Sequence, residues 1–67
     1  MASPKQLREM AAKLENMNVR LNKMIAVLEA EFGDDSDEVR PLYSASGLCR
    51  EAAFLVAEGA ARKEEVA

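Results

Sequence analysis

The chain has no histidine, one cysteine, one tyrosine, two prolines and three glycines among its 67 residues. Each scarcity removes a class of chemistry. Without histidine the usual zinc spacings and imidazole acid–base catalysis are absent. A lone Cys49 excludes an internal disulfide and reads as a small hydrophobe in the middle of an apolar helix face. No stretch approaches the ~18 uninterrupted apolar residues of a bilayer span, because Arg50 and Glu51 divide the most hydrophobic run. The opening "MASPKQLREM" lacks the apolar segment of a secretory signal. The expected location is therefore cytoplasmic, with the thiol reduced and no membrane partner. There is also no nucleophile beside a base, no facing pair of carboxylates and no glycine-rich phosphate loop. Neither an enzyme nor a bound cofactor is expected. Glu29, Glu31, Asp34, Asp35, Asp37 and Glu38 raise the question of calcium, but Val39 and Arg40 stand where an EF-hand loop needs ligands.

The chain is also short. A domain of this size buries only about 60% of its unfolded surface when it folds alone. With disulfides and histidine-based metal sites excluded, association with another chain is the remaining route to a substantial core.

What the sequence does contain is periodic. Leu7, Leu14, Leu21 and Leu28 recur every seventh residue, and Met10, Met17 and Met24 follow the first three at a spacing of three. Such 3–4 spacing places these side chains on one seam of a helix, as in coiled coils and bundles. Ile25, Val27 and Phe32 widen the stripe toward its end. Ser3, Pro4 and Gln6 form a helix start: a hydroxyl cap, a proline at the first helical position and a Gln three residues after the cap. Gly33 is the residue type that closes a helix through positive φ. A first helix is thus predicted over about 3–32 and a turn over about 33–40, with Asp35 or Ser36 capping the second helix. That helix covers about 41–62, followed by a frayed tail, 63–67. Pro41 predicts a short helical lead-in or a slight bend at its start.

The second helix carries Ala45, Ala52 and Gly59 at intervals of seven, beside Cys49 and Val56. Leucine and methionine facing alanine and glycine is large-against-small packing. The expected fold is all-α, a single antiparallel two-helix hairpin. The apolar arc of the second helix exceeds what one neighbour can cover. Leu48, Leu55, Ala53 and Ala57, with Tyr43 and Phe54 at the edge, form the expected partner interface. Two hairpins associating into a four-helix bundle would cover it, as would a different protein partner. The expected function is a small non-catalytic protein-interaction module, acting by self-association or by docking this face on a partner. The alternative is a nucleic-acid-binding regulator using the basic outer face of the first helix, Lys5, Lys13, Asn16, Arg20 and Lys23.

Overall fold

A computed structural model describes residues 2–66. They form two helices, α1 (Pro4–Phe32) and α2 (Arg40–Val66), packed against each other as an antiparallel hairpin, with no strand among the described residues. The hairpin is a rod of 50 × 15 × 14 Å.

Local chemistry sets the ends of the helices. The Ser3 hydroxyl accepts from the Gln6 backbone N–H at 3.2 Å while the Gln6 side chain accepts from the Ser3 N–H at 2.8 Å, a reciprocal capping box with Pro4 in the first turn. At the other end of α1 the Gly33 N–H extends the ladder to the Glu29 carbonyl at 2.9 Å. Its φ of 97° and ψ of 161° then take the chain straight out of the helix, through a region that only glycine enters readily. The Ser36 carbonyl accepts from both Val39 and Arg40, so a tight turn over 37–39 leads into α2. Pro41 therefore falls at the start of the helix, where its missing N–H costs nothing. The Ser36 hydroxyl donates back to the Gly33 carbonyl at 3.0 Å, and Arg40 bridges Asp35 and Asp37.

The interhelix seam alternates two rows on each helix. On α1, buried Ala11 and Ile25 with half-buried Asn18 interleave with half-buried Leu7, Leu14, Leu21 and Leu28. On the other side, Val39 in the turn and Ser46, Ala53 and Ala60 on α2 are buried, and Leu42, Cys49, Val56 and Lys63 flank them half-buried. The seam thus contains the predicted leucines, Cys49 and Val56, but not the methionines. Met10, Met17 and Met24 remain 49%, 52% and 49% exposed. The reason is geometric. A leucine heptad makes a 3–4 pattern with the residues three after it or with those four after it, and α2 engages the latter, Ala11, Asn18 and Ile25. Ala45, Ala52 and Gly59 likewise lie half-buried beside the seam rather than along its centre. Ala53, expected at a partner interface, is instead a seam residue, 3% exposed.

Helix α2 continues to Val66, past the expected end at Arg62. Its last turns are tied to the beginning of α1, where the Lys63 ammonium donates to the Ala2 carbonyl and Arg8 pairs with Glu64. The expected fraying at Ala67 lies outside the described residues. This seam is thin, since its largest fully buried side chain is Val39. Fully burying a leucine would contribute about 1.5–3 kcal/mol, and the seam leucines are only half-buried.

Candidate interaction face

The seam fixes which residues lie on each broad side of the ribbon. At 3.6 residues per turn, the positions flanking the α1 seam are Met10, Met17 and Met24 on one side and Arg8, Glu15, Asn22 and Glu29 on the other. The second set faces a polar strip of α2. Arg8 Nε donates to Glu64 Oε1 at 2.8 Å, and the Tyr43 hydroxyl donates to the Glu29 carboxylate. One broad face therefore carries cross-helix polar pairs, with Val19 and Phe54, 49% and 63% exposed, as its large apolar side chains.

The opposite face is apolar. Beside the methionine row lie the seam leucines, then Ala45, Ala52 and Gly59 of α2, and at its outer margin Leu48 and Leu55, 65% and 53% exposed. Val27, 67% exposed, extends the α1 margin, and Lys23, Met24, Val27 and Leu28 line a shallow groove there. At the open end of the hairpin Leu7 and Gly59 share a groove with Arg62, which places them on this same face. Scattered exposed apolar residues are ordinary, but a contiguous strip along the whole length of a monomer is not.

The residues expected at a partner interface are thus divided. Leu48 and Leu55 lie on the apolar face. Ala53 is in the seam, as described above. Tyr43, Ala57 and Phe54 lie toward the polar side, Phe54 being 63% exposed and Tyr43 engaged with Glu29. That hydrogen bond, followed by partial desolvation and the negative charges of Glu29 and Asp34, raises the Tyr43 pKa above its ordinary value. The methionine row, read from sequence as seam, is the largest contribution to the open face.

A polar layer interrupts the seam near its middle. The buried Ser46 hydroxyl meets Asn18 and lies 2.9 Å from Asn22 Oδ1. With one proton to give, the hydroxyl donates to one of these two amide oxygens at a time. Every buried side-chain polar atom among the described residues has a partner. This layer was missed in the sequence, where Asn18 and Ser46 look like ordinary surface residues.

The residues of the expected basic face, Lys5, Lys13, Asn16, Arg20 and Lys23, are all exposed and lie along the outer edge of α1. The outer edge of α2 carries Glu51, Glu58 and Glu65. With Glu9 among the former and Arg62 among the latter, the ribbon is net basic along one edge and net acidic along the other. No helix among the described residues is long and apolar enough to cross a membrane, and no cluster of three His, Cys, Asp or Glu is placed to hold a metal ion. No family model, no curated protein and no solved structure matches the chain.

Proposed function

We propose that this chain is a non-catalytic protein-interaction module that works through the broad apolar face of the hairpin. The observation that carries the reading is the sidedness of the ribbon. One face carries the cross-helix polar pairs and exposes only Val19 and Phe54 beside Tyr43 as large apolar side chains, while the other leaves Met10, Met17, Met24, Leu48 and Leu55 about half or more exposed around a strip of small residues. A thin seam gains stability when such a face is covered. Contact between helical proteins, with no reaction, is the use this surface fits.

The test places charge on the face without disturbing the seam. Met17→Glu combined with Leu55→Glu changes two exposed side chains, so circular dichroism should remain helical. Association measured by sedimentation equilibrium should be lost. Equal association of the parent and the double variant would overturn the reading.

A second reading has one observation in its favour, the exposed basic edge of α1. A nucleic-acid regulator would use Lys5, Lys13, Arg20 and Lys23 against phosphates, with affinity falling steeply as salt rises. The net charge of −3 and the acidic edge of α2 oppose it. A gel-shift titration with RNA and DNA at low salt decides the matter, and absence of a shifted band removes this reading.

A further inference from the structure

We propose that the occupant of the apolar face is a second copy of this chain, stacked so that α1 of each hairpin lies against α2 of the other. This rests on the interaction-module reading above and specifies its partner.

Area supports a copy of this size. The chain exposes 5024 Å², whereas a compact monomer of 7.3 kDa exposes about 4200 Å². The excess is close to the ~800 Å² per partner of a standard stable interface. The 50 × 15 Å face of the rod offers roughly that area to an identical rod.

Shape and charge then choose between the two symmetric ways of stacking two ribbons face to face. Rotation about an axis across the ribbon sets α1 on α1 and α2 on α2. Methionine rows would collide along one side while Ala45, Ala52 and Gly59 left a gap along the other, and each edge would meet a like-charged edge. Rotation about the long axis sets α1 on the partner's α2. The flexible methionines then enter the strip of small residues, large against small on both sides of the dyad. The basic edge of each chain also meets the acidic edge of the other. This rotation keeps heights along the rod, and the Ser46–Asn22 contact fixes which residues are level within a hairpin. Lys13 comes level with Leu55, and Arg20 with Leu48. Their stems cover those leucines and their charges reach Glu51 and Glu58. All neighbouring helices in the resulting four-helix bundle are antiparallel.

Charge reversal tests the arrangement, with dissociation constants taken from sedimentation equilibrium. Lys13→Glu with Arg20→Glu, both exposed and outside the seam, should weaken self-association about tenfold or more. Adding Glu51→Arg and Glu58→Arg to the same chain should restore it, because the edges are again complementary. Loss followed by restoration is the signature of α1 on α2: in the other stacking Lys13→Glu and Arg20→Glu would set new carboxylates against Lys5 and Lys23 of the same edge, so the first variant would not weaken association and there would be nothing to restore. Self-association that disappears in Met17→Glu/Leu55→Glu but ignores the charge reversals overturns the arrangement and leaves the interaction face standing. Self-association that ignores both sets overturns the face as well. A parent chain that sediments as a monomer at micromolar concentration overturns the second copy as occupant, as does one that forms a shifted band with nucleic acid and no dimer.

Discussion

Ala53 and Tyr43 show how much one position contributes to this small ribbon. Ala53 is 3% exposed where the two helices approach, so Ala53→Leu adds volume with no room to accept it and should cost about 1–3 kcal/mol. Helix propensity barely changes, since leucine ranks just below alanine. The same change at exposed Ala61 should be nearly silent, and thermal melts of the two variants give the comparison. An Ala53→Leu hairpin melting like the parent would remove Ala53 from the seam. Tyr43 is the only tyrosine, so its ionisation can be followed by phenolate absorbance. Its pKa is raised, first by donation to Glu29. The folded hairpin therefore holds the phenol neutral more firmly than the unfolded chain does. That contribution is fully present below the unfolded value of about 10 and is lost as pH rises through the folded value. Glu29→Gln should bring the titration back toward the ordinary range. An unchanged midpoint would mean that the carboxylate is not the cause.

Among the elements, the helix ends are the most legible part of the sequence. The Ser3, Pro4 and Gln6 triplet specifies a start because the bonds it makes are local: each partner lies within three residues of the other. Ser3→Ala should cost about 1 kcal/mol. Gly33 specifies a stop for a purely conformational reason. A Cβ there would meet nothing within 4 Å, yet φ is 97°, so Gly33→Ala should cost about 1–3 kcal/mol through backbone strain alone. Urea titration of each variant gives both values, and a neutral Gly33→Ala would contradict the strain. The end of α2 was not legible in the same way. It depends on Lys63 reaching Ala2 and Glu64 reaching Arg8, contacts between opposite ends of the chain that no local pattern encodes.

For the whole molecule, stability and association should be one property, because the hairpin seam is thin and the proposed bundle core is not. The melting temperature should rise with protein concentration, as mass action requires when only the folded state associates. A melting temperature independent of concentration would separate folding from association and weaken the case for the bundle. Met17→Ala follows the same logic. In an isolated hairpin it removes a side chain that is 52% exposed and should matter little, whereas in the bundle it opens a cavity. Its effect on melting should therefore grow with concentration.

The sequence by itself determined two helices, the start and stop of the first and the existence of a leucine stripe, because these follow from capping bonds, backbone preferences and helical period. Only the tertiary structure decided which side of that stripe turns toward the second helix. Both choices satisfy a 3–4 repeat, with methionine three residues after each leucine or with Ala11, Asn18 and Ile25 four after. The arrangement is settled by the facing side of the hairpin, whose buried row is Val39 just before α2 and then Ser46, Ala53 and Ala60. Small residues there admit close approach. A buried serine hydroxyl also needs a hydrogen-bond partner, which Asn18 and Asn22 supply and a methionine row would supply poorly. Matching one polar group across the chain turned the methionines outward, and the face left open is where this molecule meets its partner in the function proposed for it.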